Sequence, residues 1–295
     1  MRSGRGSRAD KEGSMDSMID AINRRVSVRA YSDQIIEKDK EQKILDLLNS
    51  ENKGPFGNEV RFAMIDLTEA ERNETKSLGT YGFISGAKRY VVGAVKGSPG
   101  AMEDLGYCFE KVILAATGLG LGTCWLGGTF NRANFARRIN VSDNEVVPAI
   151  SPIGYARDKR TVRERFLRRL AKSDQRKPWE ELFFDGSMNT PLARGSVGKY
   201  AAVLDCVRFG PSASNNQPWR IVRQSSQSAF HLYLKRTWGY DKFNARIDLQ
   251  RVDIGIAMCH FELAVRDIGL TGRWAGANPG LETGTAEYII SWVES

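Results

Sequence analysis

Three segments of this 295-residue chain carry side chains whose types and spacing could do chemistry. The first is Arg25-Val-Ser27-Val-Arg29. In an extended backbone residues i, i+2 and i+4 share one face, so two guanidinium groups and a hydroxyl would converge while Val26, Val28 and Ala30 face the protein. Arginine grips phosphate through paired N–H bonds and serine adds a donor, a set that suits a terminal phosphomonoester. A solvated edge strand is the plainer use of the same residues. The second segment, Pro211 to Trp219 (PSASNNQPW), is a proline-bracketed loop dense in amides and hydroxyls. It offers donors and acceptors to a polar ligand, or simply makes a turn. The third, Gly118 to Gly128 (GLGLGTCWLGG), has a helix leading in and a strand leading out. That order is the reverse of the one a dinucleotide-binding fingerprint requires, which removes the Rossmann reading. Gly127-Gly128 would let backbone N–H groups approach a flat ligand, or would serve tight packing.

Other chemistries lack parts. The two histidines, His231 and His260, have no second ligand-type residue at metal spacing, so no metal site and no histidine-based triad is expected. The four cysteines form no C-x-x-C pair and read as reduced structural thiols. An enzyme with this inventory needs a cofactor to do the chemistry. No apolar run approaches the roughly eighteen residues of a membrane span. The net charge of +8 raises nucleic acid as a partner, but the excess is local: residues 156–177 hold ten basic side chains against three acidic ones. Val162, Phe166 and Leu170 recur there at i, i+4, i+8, the pattern of an amphipathic helix with a solvated basic face, and no aromatic residues interleave the charges as a nucleic-acid surface would need.

The elements that must position these segments are arranged twice. Asp104-Leu-Gly106, Gly120-Leu121 and Trp125-Leu-Gly127 recur without a gap, 149 residues on, as Asp253-Ile-Gly255, Gly269-Leu270 and Trp274-Ala-Gly276. Each copy holds a long helix, expected over 101–120 and 248–268, apolar enough in the first copy to be buried. Short strands are expected at 60–66, 89–95, 124–126, 147–154, 219–223, 230–235, 271–275 and 286–293, with helices at 15–24, 38–49, 131–139 and 197–209. A second echo pairs Ile44-Leu45-Asp46 and Val60-Arg61-Phe62 with Val203-Leu204-Asp205 and Trp219-Arg220-Ile221. Two related halves follow, with the long helices as their seam and any ligand between them.

Together these segments resemble the FMN-dependent nitroreductase family. Its members carry an Arg-x-Ser-x-Arg/Lys stretch, a Pro-Ser-x-x-Asn-x-Gln-Pro-Trp loop, a Gly-x-Gly-x-x-Trp-x-x-Gly segment, and a Gly-Tyr followed by a basic stretch. This chain has Arg25/Ser27/Arg29, Pro211 to Trp219, Gly120 to Gly128, and Gly154-Tyr155 followed by Arg176-Lys177-Pro178. The likeness covers nearly everything after residue 15 and is closest to the single-chain, internally duplicated branch. It implies an α+β nitroreductase-like fold of two halves, each a sheet covered by helices, packed as an intramolecular pseudo-dimer. The expected division is a tail (1–14), a first half (15–155), a basic extension wrapping onto the other half (156–190) and a shorter second half (191–295).

The resemblance further implies a cytoplasmic oxidoreductase in which NAD(P)H reduces FMN and a nitroaromatic or quinone is reduced in turn, ping-pong. Arg25, Ser27, Arg29 and Arg176 would hold the FMN phosphate, and Pro211, Ser212 and Asn215 would contact the cofactor from the other half. Trp125, Leu126, Gly127 and Gly128 would line it, the two glycines offering N–H groups to the flavin N5 and O4 edge. Val26 and Ala213 depart from the family pattern, where a basic residue and a hydroxyl are common. Among the counterpart segments, 189–199 supplies no arginine-serine-arginine set and 52–60 no asparagine cluster, so one FMN per chain and a monomer are expected. The alternatives are a flavin-binding protein of this fold with a different or lost redox activity and, from another class, a basic nucleic-acid or partner-binding module.

Overall fold

The computed structural model describes residues 17–68, 84–128, 130–157, 175–238 and 246–295. The N-terminal tail and the basic amphipathic pattern of Val162, Phe166 and Leu170 lie outside the described residues.

The first half runs α1 (Met18–Arg24), α2 (Lys38–Ser50), β1 (Val60–Asp66), β2 (Arg89–Lys96), α3 (Ala101–Gly118), β3 (Gly122–Thr123), α4 (Arg132–Arg138) and β4 (Glu145–Gly154). Its antiparallel sheet has the order β1-β2-β4-β3. The second half comprises α5 (Tyr200–Phe209), β7 (Trp219–Gln224), β8 (Ala229–Leu234), α6 (Leu249–Asp267), β9 (Gly272–Ala275) and β10 (Glu287–Glu294). Between the halves, β5 (Phe183–Asp185) and β6 (Ser187–Pro191) extend the second sheet to β6-β5-β7-β8-β10-β9, with β5 parallel to β7. These two strands were not expected from the sequence. Three residues after a Glu-Glu pair carry too short a period-2 signal, and the partner of β5 lies beyond an intervening helix. The expected strand at 124–126 is instead two residues earlier, with Leu126 alone bridging Ile150.

The long helices form the seam, and the repeated Asp-x-Gly explains how. A Cβ on Gly106 would stand 2.1 Å from the Val252 carbonyl oxygen, and one on Gly255 would stand 1.9 Å from that of Glu103. Only glycine lets two backbones approach so closely, and the duplication places one on each helix. Because α3 and α6 are covered from several sides, they are apolar around most of their circumference, and their side chains join one large core with β7, β8 and β10. The repeated tryptophans share a role as well. Trp125 donates Nε1–H to Glu110 at 2.6 Å, and Trp274 donates to Glu262 at 2.7 Å.

The repeated aspartates each anchor a loop. Asp104 accepts from the backbone N–H of Phe56 (2.9 Å) and Asn58 (2.8 Å) and from the Asn58 amide (3.0 Å). Asp253 accepts from the Ala213 N–H with both oxygens, at 3.0 and 3.1 Å. Helix α1 is fastened across the seam: Asp267, near the end of α6, accepts from the Ser17 hydroxyl and from the N–H groups of Met18 and Ile19. A carboxylate at a helix N-terminus meets the unpaired N–H groups there and the positive end of the dipole.

Candidate functional site

Helix α1 ends at Arg24 and the chain enters extended backbone at Arg25. From Ser27 onward it lies beside β3, with Ser27 bridging Thr123 in parallel and the Val28 N–H donating to the Thr123 carbonyl at 2.8 Å. Gly122 leaves the room that Val28 fills: a Cβ there would meet Val28 Cγ2 at 2.7 Å. The buried Cys124 thiol lies within reach of this segment: the charges of Arg29 and Arg25 and a hydrogen bond from Ser27 all act to lower its pKa. Burial nonetheless raises the Cys124 pKa above its ordinary value. The opposite face departs from expectation. Ala30 is buried and Val28 half-buried, but Val26 is 41% exposed, because pairing with β3 begins only after it.

The two arginines differ. The Arg29 side chain makes no hydrogen bond or ion pair among the described residues, though its carbonyl accepts from the Ser85 N–H at 2.8 Å. The Arg25 side chain is 7% exposed, and its Nε lies 3.8 Å from Glu110 Oε1 and has no hydrogen-bond partner. Glu110 is fully buried within α3 and also accepts from Trp125 and contacts His260 Nε2 at 2.9 Å. His260 Nδ1 meets the Cys206 carbonyl at 2.8 Å; a carbonyl only accepts, so Nδ1 carries a proton. Sequence reading missed this Arg25–Glu110–His260 cluster. A carboxylate inside an apolar helix was the available signal, since a buried charge must have partners.

Beyond β3 the chain passes inward and then out again. Trp125 turns its indole N–H to Glu110. Leu126 packs in the core beneath the first sheet, and its N–H and carbonyl both bond Ile150. Among the described residues the N–H groups of Gly127 and Gly128 donate to no protein acceptor. Arg132, whose pKa burial lowers, donates to the Gly127 carbonyl. Because that carbonyl and the Gly128 N–H share one planar trans peptide, fixing the oxygen aims the N–H the opposite way. Gly127 packs on Leu249, the first residue of α6, while a Cβ on Gly128 would meet nothing within 4 Å.

The polar loop reaches the same helix one turn later through the Asp253–Ala213 contact. Burial drives the Asp253 pKa well up, with the Ala213 N–H opposing. Ser212 shapes the loop by accepting from the N–H of Gln217 through its hydroxyl and of Asn215 through its carbonyl, each at 2.9 Å. Pro211 is half-buried at its start. Asn215 gives its amide N–H to the Gln175 carbonyl and takes an N–H from Arg176. Arg176 also donates to the Gly210 (3.1 Å) and Phe209 (3.0 Å) carbonyls at the end of α5. Both side chains are thus occupied in holding the loop. Ser214, Asn215 and Gln217 have positive φ, three of the five such non-glycine residues among those described. Left-handed backbone at non-glycine residues concentrates at binding sites, where surrounding contacts enforce it.

The structure therefore sets Gly127 and the Ala213 N–H of the polar loop against the N-terminal half of α6, while Arg25–Arg29 lies beside β3 and reaches α6 through Glu110 and His260. Among the described residues no three His, Cys, Asp or Glu side chains could hold a metal ion, and no helix is long and apolar enough to cross a membrane.

Comparison with known proteins agrees with this fold. A family model described as "Putative TM nitroreductase" matches residues 17–265. The chain is similar over 98% of its length to the crystal structure of a "putative nitroreductase" from Thermotoga maritima MSB8, covering 99% of that chain at 17% identity with a TM-score of 0.58. Partial similarities include an FMN-dependent nitroreductase from Clostridium difficile R20291 (19% identity, 48% of this chain and 88% of that one, TM-score 0.38). Another is a "Putative NADH dehydrogenase/NAD(P)H nitroreductase" from Bacteroides thetaiotaomicron VPI-5482 (20% identity, 49% of this chain and 89% of that one, TM-score 0.41). No curated protein matches. With the fold shared end to end and the family match spanning most of the chain, this protein belongs to the TM nitroreductase family.

Proposed function

We propose that the protein is an FMN-dependent oxidoreductase that binds one FMN per chain at the seam, acting as a monomer. The observation that supports this reading is that the N–H groups of Gly127 and Gly128 donate to no protein acceptor among the described residues, where Gly127 packs on the start of α6, the helix whose Asp253 holds the polar loop of the other half. Bound FMN would supply the redox chemistry, accepting hydride from NAD(P)H and passing electrons to a nitroaromatic or quinone.

The protein's own part is to bind and orient. Arg29 and the Ser27 hydroxyl would hold the terminal phosphate, with Arg25 contributing charge that Glu110 partly offsets. Gly127 and Gly128 would donate to the flavin N5 and O4 edge, where preorganised N–H dipoles stabilise added negative charge. Ser212 would contact the cofactor directly, while Asn215 and Arg176 would keep its loop in shape. The monomer follows from the seam: α3 and α6 already bury on each other the surface that two copies would share.

Excess FMN should raise the melting temperature, by an amount corresponding to about 2.7 kcal/mol at a hundredfold excess over Kd. Stopped-flow reduction by NADH and by NADPH, followed by an acceptor panel, reads the activity. A protein that FMN does not stabilise contradicts the proposal.

A further inference from the structure

The second half holds a cavity of about 450 Å³ on the face of its sheet turned away from α6, lined by Phe184, Met188, Arg220, Lys235, Glu282 and Thr283 among others. Strand pairing identifies what stands there in the first half. Val60 of β1 faces Val95 of β2, and Trp219 of β7 faces Leu234 of β8. Arg61 and Arg220 therefore correspond, as do Lys96 and Lys235. Across the next pair Val95 faces Val146 and Lys96 faces Glu145, whereas Leu234 faces Glu287. Ala286 thus occupies the place of Glu145.

The substitution leaves a charge without its partner. Arg61 donates Nε and Nη2 to the two oxygens of Glu145 at 2.9 and 2.8 Å, a bidentate pair that holds the carboxyl pKa down at about 2. Arg220, only 6% exposed, donates Nη1 to the Gln217 and Trp219 carbonyls and pairs with no carboxylate among the described residues. Its Nε and Nη2 have no hydrogen-bond partner among the described residues, and Arg220 lines the cavity. Burial lowers the Arg220 pKa, and that of Lys177 is lowered by burial and by Arg220 and Lys235, with Glu181 opposing in both cases. Positive charge is thus in local excess. Glu282 is exposed at the mouth, which disfavours a polyanion and admits a ligand with one anionic end turned inward.

We propose that this cavity binds a small organic carboxylate, held by Arg220 and Lys235 in the place that Glu145 fills in the first half. Phe184 and Met188 give its apolar body a surface, and Thr283 a hydroxyl. The site is separate from the seam and does not depend on the flavin reading.

The test is a thermal-shift and calorimetric titration of the full chain, with FMN in excess, using acetate and benzoate as probes and benzamide as the uncharged control. At least one carboxylate should bind and stabilise the protein while benzamide does not. Lys235→Gln, an exposed position where folding is not at issue, should weaken binding about tenfold. Arg29→Ala should leave it unchanged. Ala286→Glu, which supplies the missing carboxylate from the chain itself, should abolish binding and raise the melting temperature. No binding of either carboxylate, equal binding of benzamide, binding that survives Lys235→Gln undiminished, or an Ala286→Glu protein that is not stabilised would each overturn the proposal.

Discussion

The halves use the same device at Asp104 and Asp253 and obtain different loops from it. Asp104 takes three donors from a loop, Asn52 to Val60, that carries no cluster of amides facing the seam. Asp253 takes one donor from a loop of hydroxyls and amides with three left-handed residues. The first aspartate is the better satisfied anchor, and the second holds the more strained loop. The comparison teaches that the two halves share a scaffold, the helix crossing and the loop anchors, while the loops held by that scaffold differ, as the proposed single site requires. The Arg61–Glu145 pair and its broken counterpart at Arg220 show the same divergence on the outer faces of the sheets.

The scaffold can be broken most severely at the crossing. Gly106→Ala and Gly255→Ala each drive a methyl into a backbone carbonyl, and each should destabilise by about 3 kcal/mol in urea unfolding, the upper end of overpacking costs. Gly118→Ala, in open space at the end of α3, should be neutral or slightly stabilising, and an equal loss there would refute the close-approach argument.

The anchors come next. Asp104→Ala leaves two part-buried N–H groups without their acceptor and should cost about 2–4 kcal/mol; Asp253→Ala leaves one and should cost about 1–3 kcal/mol. Binding should reverse that order, with Asp253→Ala weakening FMN about tenfold and Asp104→Ala leaving it unchanged per folded molecule. Equal effects on FMN would erase the asymmetry.

Within the candidate site, Arg29→Ala should weaken FMN binding by about 1.5–3 kcal/mol, the worth of a charge-assisted contact, without loss of stability. Arg25→Ala should also lower stability, because Glu110 and His260 then lose a buried neighbour. The smallest effect is in the acid range. The Glu145 pKa is depressed from 4.5 to about 2, mainly by hydrogen bonding from Arg61, so its contribution is complete above pH 4.5 and is lost as pH falls towards 2. Arg61 is partly exposed, so the loss should be about 0.5–1 kcal/mol and should vanish in Glu145→Gln.

Much of this was legible in the sequence because it rests on local pattern. The long helices and seven of the strands follow from periodicity and turn chemistry, and the seam from the repeat. What could not be read was set by distant partners. The Gly106–Gly255 contact needs two helices in register, which the repeat announces without saying that backbones touch. Glu110 lies 85 positions from Arg25, and nothing beside the arginine shows that its charge is already met. Leu126 reads as site lining until its N–H is found bonded to Ile150, and Arg176 as a phosphate ligand until carbonyls at the end of α5 claim it. Arg132 had no signal at all, since its role depends on which carbonyl its side chain meets.

The central claim, one surviving site at a duplicated seam, is tested most directly by the stoichiometry of FMN binding. Fluorescence titration of the purified full chain, with protein quantified independently, should saturate at one FMN per chain and lose that saturation in Arg29→Ala. Saturation at two per chain, or no binding at all, would contradict the account.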